Sequence, residues 1–228
     1  MEPGTCEVWW ASTAWLRPWH ADVLSDGERA RRAGLWDPGH RAQYTVAAAL
    51  LRLVAAPLTE RTAAGVVVDR SCPSCGRRHG RPHLPGTGLD VSISHSGATV
   101  AVAVSNAGPV GVDVQQVADD AVGELSPLVL AESEAGHVVG ARDFFTYWTR
   151  KEALVKATGD GVAVPLGEVV VTPPGTPPRL LGYPRPGGLA AQLRDLNPDL
   201  GYVGALAVLS PGPVVVQERS GERLLTAG

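Results

Sequence analysis

The strongest constraint on the fold is an element order that occurs twice: a long helical segment, then a run of short strands. The first helix is expected in "DPGHRAQYTVAAALLRLVAA", where Asp37 can cap the end and Pro38 suits the first turn. "LDVSIS" and "TVAVAVS" follow, joined by a turn at "HSGA", and "PVGVDVQ" comes after "NAG". Together they read as an antiparallel meander. The second helix is expected over 144–158. After it come "LGEVVVT", then "LAAQLRDL" and "GYVGALAVL" around the turn residues "NPD", and last "PVVVQERS". The expected class is α+β, with two similar helix-plus-meander halves in pseudo-twofold arrangement. The halves are residues 1–106 and 107–228, with the boundary near "SNAGP". No letter-for-letter repeat accompanies the repeated order.

A chain of 228 residues with 44% hydrophobic content can bury a sizeable core. A net charge of −3 gives no global attraction to nucleic acid or to an acidic membrane. The start, "MEPGTCEVWWAS", lacks the basic and apolar regions of a signal peptide. The longest apolar run is interrupted by Arg52 and is too short to span a bilayer. Three cysteines do not make a disulfide framework. A cytoplasmic protein is the expectation.

The chain uses arginine almost everywhere. Of its 20 Lys+Arg residues only Lys151 and Lys156 are lysine, five positions apart in "WTRKEALVKATG". A lysine kept against such a bias suggests a place for a compact, mobile ammonium where a planar guanidinium will not serve. On a helical wheel Phe144, Tyr147, Trp148, Leu154 and Val155 share one arc. Lys151 projects into the middle of it, while Glu152 sits at its edge with Lys156 beside it. An ordinary i,i+4 ion pair explains Glu152 and Lys156 but leaves Lys151 unexplained.

In "GVDVQQ", Val110, Val112 and Val114 line one face of a strand, and Asp113 and Gln115 share the other, roughly 7 Å apart. A carboxylate flanked by valines is costly without compensation. A hard cation held by oxygens of Asp113, Gln115 and Glu152 would supply it, and Mg²⁺ suits a diphosphate substrate. The plainer reading is the solvent side of an edge strand. "ISHSG" puts Ser94 and His95 at a strand end. A Ser-His-Asp hydrolase using Asp113 is weakened by the absence of a G-x-S-x-G elbow. A turn that presents hydroxyl and imidazole to a phosphate fits better, beside a purely structural turn. Residues 71–88 form a Gly-, Pro- and Arg-rich arm in which Cys72, Cys75, His79 and His83 could bind zinc, making a zinc-stapled interaction module a rival to an enzyme.

Taken in order, "GRP" (80–82), "SISHSG" (92–97), "GVDVQ" (111–115) and "WTRKEALVKATGDG" (148–161) resemble the motif set of the Sfp-type 4′-phosphopantetheinyl transferases. "RRAGLWDPGHR" matches that family's spacing of a basic pair before His-Arg. The resemblance implies transfer of the phosphopantetheine arm of coenzyme A to a serine of an apo acyl or peptidyl carrier protein, with Mg²⁺, by a monomer. It implies Asp113, Gln115 and Glu152 as metal ligands, although the family usually has glutamate where Gln115 stands. Catalysis is implied for Asp113, Glu152 and Lys156. Coenzyme A contacts are implied for Arg29, Arg32, Arg41, Arg81, Ser94, His95, Lys151 and Lys156. A degenerate fold that binds coenzyme A without turnover is the remaining alternative, with Gln115 as the lesion.

Overall fold

The computed structural model describes residues 1–72, 75–77, 80–185 and 187–227. Its strands are β1 (Thr5–Ser12), β2 (Asp90–Ser96), β3 (Thr99–Ser105), β4 (Val110–Gln116), β5 (Val170–Val171), β6 (Leu180–Gly182), β7 (Ala191–Leu196), β8 (Tyr202–Leu209) and β9 (Val215–Ser220). The helices are α1 (Asp26–Ala33), α2 (Pro38–Leu58), α3 (Val122–Val129), α4 (Glu132–Ala135), α5 (Ala141–Thr158) and α6 (Glu222–Thr226). Two main sheets have the orders β2-β3-β1-β9 and β4-β8-β7, and β5 pairs with β6 alone. The class is α+β, as the patterning indicates.

The layers follow from period-2 alternation. On β3, Val100, Val102 and Val104 pack under α2, and Ala101 and Ala103 face the second sheet. On β4, Val110, Val112 and Val114 point into that inter-sheet core. On β8, Ala205 and Ala207 pack under α5 with Tyr147 and Leu154, while Leu206 and Val208 join the valines. The order of layers is helix, sheet, sheet, helix. Both long helices start and stop for local reasons. The Asp37 carboxylate accepts His40 N–H at 2.7 Å at the head of α2. Gly159, at φ 76°, ends α5 in the left-handed conformation that glycine adopts without cost.

Two pairings differ from the expected meanders. β4 does not continue the β2-β3 hairpin; it pairs antiparallel with β8, Asp113 opposite Ala205. The last strand, β9, leaves the second half and pairs parallel with β1, Thr5 opposite Val215. Alternation tells which face of a strand is apolar, but nothing about which strand lies along its edge, so adjacency in sequence was the wrong guide. "LGEVVVT" forms only the two-residue β5, preceded by a short 3₁₀ turn.

Candidate active site

β4 and α5 build the centre of the site by crossing closely. A Cβ at Gly111 would collide with the Ala153 carbonyl and the Ala157 amide, so only glycine lets the helix rest on the strand here. The crossing sets the polar face of β4 against the Glu152–Lys156 turn of α5. Asp113 is 2% exposed. Its Oδ1 accepts Lys156 Nζ at 2.6 Å and Ser94 Oγ at 2.8 Å, and its Oδ2 accepts Gln115 Nε2 at 3.1 Å. Lys156 also donates to Ser94 Oγ and to the Val112 carbonyl, each at 3.1 Å.

A cavity of about 400 Å³ opens over these groups. Asp113, Glu152, Lys156 and Trp148 line it, together with Arg31, Tyr44, Arg70 and His95. Trp148 is stacked on Phe145, with ring centroids 5.8 Å apart. Burial raises the Glu152 carboxyl above its ordinary range, and the Asp113 charge raises it further while Lys156 opposes. Two carboxylates share one pocket, and among the described residues none donates a hydrogen bond to Glu152. That is an electrostatic arrangement a cation would relieve. Among the described residues no three His, Cys, Asp or Glu side chains form a metal cluster. Mg²⁺ is commonly held by one or two carboxylates together with substrate oxygens, so Asp113 and Glu152 fit it. The Gln115 amide turns its NH₂ to Asp113 and its oxygen to Ser96 Oγ at 3.5 Å, an arrangement that orients Asp113.

The basic residues of the lining have the reverse imbalance. Arg70 Nε is buried and has no hydrogen-bond partner among the described residues, and burial lowers the basicity of that guanidinium. Arg31 lies over the Tyr44 ring, 5.7 Å from its centroid. Burial and, after it, the Lys156 charge push the His95 imidazole below its ordinary pKa, toward the neutral form. Two cations meeting in a partly buried cavity make a place for a multiply charged anion.

The structure sorts the residues expected at the site. Asp113, Gln115, Glu152, Lys156, Ser94 and His95 come together. Arg29, Arg32, Arg41 and Arg81 do not line the cavity. Arg29 holds Asp26 at 2.6 Å, Arg32 donates to Thr45 Oγ1 at 3.0 Å, and Arg41 closes on the Leu35 carbonyl at 2.6 Å. Arg81 bridges the Ala157 carbonyl at 3.0 Å and Asp90 at 2.9 Å. Lys151 is also away from the cavity. It is 0% exposed, paired with Glu134, and donates to the carbonyls of Val129 at 2.7 Å and Leu166 at 3.1 Å. Arg31 was within reach of the sequence, since it belongs to the basic stretch of α1. Arg70 follows a run of valines with no local pattern to mark it. It is held beside the Asp69–His83 bridge, which only the tertiary fold forms. Of the arm proposed for zinc, His79 lies outside the described residues, and Cys72, Cys75 and His83 form no metal cluster with the described ones.

Similarity to known proteins points to a transferase. The family model described as the 4′-phosphopantetheinyl transferase superfamily matches residues 109–206, the span that carries Asp113, Gln115, Glu152 and Lys156. The 4′-phosphopantetheinyl transferase HetI of Nostoc sp. is 30% identical over 211 residues, 84% of this chain and 81% of HetI. A 4′-phosphopantetheinyl transferase of Bacillus subtilis is 30% identical over 96 residues, 40% of this chain and 42% of its own length. The 4′-phosphopantetheinyl transferase AcpT of Salmonella typhi is 36% identical over 81 residues, 32% of this chain and 42% of AcpT. This chain belongs to the 4′-phosphopantetheinyl transferase superfamily.

Proposed function

We propose that the chain acts in the manner of the Sfp-type enzymes. In this reading it transfers the 4′-phosphopantetheine arm of coenzyme A to a serine hydroxyl of an apo acyl or peptidyl carrier protein, with Mg²⁺, and releases adenosine 3′,5′-bisphosphate. The observation that carries the reading is the mixed charge of a single cavity: Arg31 and Arg70, whose Nε has no hydrogen-bond partner among the described residues, line it together with Asp113 and Glu152. Coenzyme A has the complementary pair of groups, a phosphate monoester on the ribose and a diphosphate. We assign residues 1–106 to the adenosine end and 107–228 to the metal and the reacting groups. The cavity-lining residues support this division, although β9 and α6 complete the first unit's packing.

In this reading the serine oxygen attacks the diphosphate phosphorus that bears pantetheine. The bond from that phosphorus to the bridging oxygen breaks, and the electron pair leaves with adenosine 3′,5′-bisphosphate. Glu152, a carboxylate at the cavity, takes the serine proton. Lys156 places a point charge beside the diphosphate, and Trp148 walls that side against water. Mg²⁺ on Asp113 and Glu152 would neutralise diphosphate charge. Such transfer relies on positioning and charge more than on covalent catalysis. The reading implies a monomer working in the cytoplasm, where coenzyme A is held. Incubation with coenzyme A, Mg²⁺ and a panel of apo carriers, read by intact mass, should show the phosphopantetheine increment. Binding of coenzyme A with no increment on any acyl or peptidyl carrier would instead make the chain an inactive binder.

A further inference from the structure

Arg52, which interrupts the apolar run of α2, is 2% exposed. Its guanidinium joins three segments. Nε and Nη2 both meet Glu28 Oε2 at 2.7 Å, on α1. Nη1 donates to the carbonyls of Ala63, Ala64 and Val66 at 3.1, 3.3 and 2.9 Å, in the turn after α2. A guanidinium carries five N–H donors in a fixed fork. One side chain therefore holds a helix with one edge and a turn with the other. A charge in a core is costly unless it is paired and hydrogen-bonded, and this one is both.

The two segments it holds are those that deliver Arg31 and Arg70. Arg31 follows Glu28 by three positions, which sets both on one side of α1. An eight-residue helix has little stability of its own, so contacts with α2 decide where α1 lies. Glu28 supplies the buried contact, and it also closes the head of α1 by accepting Ser25 N–H and Ser25 Oγ, each at 2.9 Å. Arg32 Nε donates to Thr45 Oγ1 at 3.0 Å, and Arg31 rests over the Tyr44 ring. Arg70 follows Val66 by four positions. Its approach is fixed at one end by the Arg52 contact and at the other by the Asp69–His83 bridge. Glu28 and Arg52 themselves lie outside the cavity lining.

We propose that Arg52 is a positioning residue. Through Glu28 and the turn carbonyls it sets Arg31 and Arg70 at the spacing that takes a phosphate monoester, and it does not touch the substrate. The inference rests on the proposed place of these two arginines at the ribose phosphate of coenzyme A.

The test is calorimetric titration of the whole chain with coenzyme A and with dephospho-coenzyme A, both with Mg²⁺, alongside Tm. Wild type should bind coenzyme A at least about tenfold more tightly, because hydrogen bonds to a charged group are gained. Arg52→Lys keeps the charge, but one ammonium cannot span Glu28 and the turn. It should weaken coenzyme A about tenfold and dephospho-coenzyme A less than about twofold. The double substitution Glu28→Met with Arg52→Met leaves no orphaned charge. Its Tm should exceed that of Arg52→Met alone, while coenzyme A binding stays weak. Should Arg52→Lys not fold, the double variant carries the expectation. Arg150 is as deeply buried and pairs with Asp195 away from the cavity, so Arg150→Met should lower Tm and leave both ligands alone. Coenzyme A affinity that tracks Tm through every variant, Arg150→Met included, would overturn the proposal and reduce Arg52 to mechanics of the core. Equal weakening of both ligands by Arg52→Lys would also overturn it. Loss of the preference for coenzyme A in Arg70→Met but not in Arg52→Lys would overturn this inference alone. A wild type without that preference would overturn the placement of the monoester together with it.

Discussion

Lys156 Nζ lies 2.6 Å from Asp113 Oδ1, joining α5 to β4 across 43 positions of sequence. The ammonium has three protons and three acceptors: this carboxylate, Ser94 Oγ and the Val112 carbonyl. A planar guanidinium cannot satisfy acceptors arranged around a point. Lys156→Arg should therefore keep the fold and lose at least about tenfold in kcat/KM, roughly 1.4 kcal/mol of transition-state stabilisation. Steady-state kinetics on an apo carrier measure it. Wild-type kinetics in the variant would mean that positive charge alone is needed.

Lys151, five residues earlier, has a different task. Glu134 accepts from Lys151, from Ala131 N–H at 2.8 Å and from Val171 N–H at 3.0 Å, so it ties α4, α5 and β5 together. Removing one partner of a buried pair typically costs about 3–5 kcal/mol, because the other charge stays buried. Lys151→Met should lower stability by that order in denaturant titration while KM for coenzyme A holds. A raised KM without loss of stability would return Lys151 to the substrate-binding set.

Arg70 should act on one part of the substrate only. Hydrogen bonds to charged groups contribute about 1.5–3 kcal/mol, so Arg70→Met should raise KM for coenzyme A by about tenfold or more. With dephospho-coenzyme A, which lacks the ribose phosphate monoester, the variant and the wild type should differ little. Equal losses with both substrates would place Arg70 elsewhere than at the monoester.

Acid should destabilise the free protein through two histidines. Burial lowers the pKa of His20 and of His95 from 6.5. His20 is held neutral: Nδ1 accepts Arg17 N–H at 3.2 Å and Nε2 donates to the Leu225 carbonyl at 3.0 Å. A lowered pKa in a basic group means that the unfolded chain binds more protons below about pH 6.5, so stability present above that pH is lost as pH falls through the folded-state values. Tm measured from pH 8 to pH 5 should decline over this window, and His95→Gln should make the decline shallower. A profile unchanged by His95→Gln would remove that residue from the effect.

Much of the molecule was legible without coordinates. Asp37 and Pro38 start a helix by local chemistry alone. The valine alternation of 110–114 puts Asp113 on the opposite face, and the spacing of Glu152 and Lys156 puts both on one side of a helix. The motif order pointed to the 4′-phosphopantetheinyl transferases, and the match of the superfamily over residues 109–206 bears that out. These signals are local, and local geometry preserves them whatever the rest of the chain does.

What the sequence determined by itself is which face of each element is polar and which residues of the motif segments carry charge. Only the tertiary structure decided how those faces meet. It joined β4 to β8, returned β9 to β1, and set three serines of β2 against the free edge of β4. It also separated two lysines that look equivalent, burying Lys151 against Glu134 and leaving Lys156 at the cavity, and it brought Arg31 and Arg70 together from segments with no shared pattern. The reason is physical. Periodicity is a property of neighbouring residues, whereas edge pairing and ion pairing depend on distances between segments far apart in the chain, which packing alone determines.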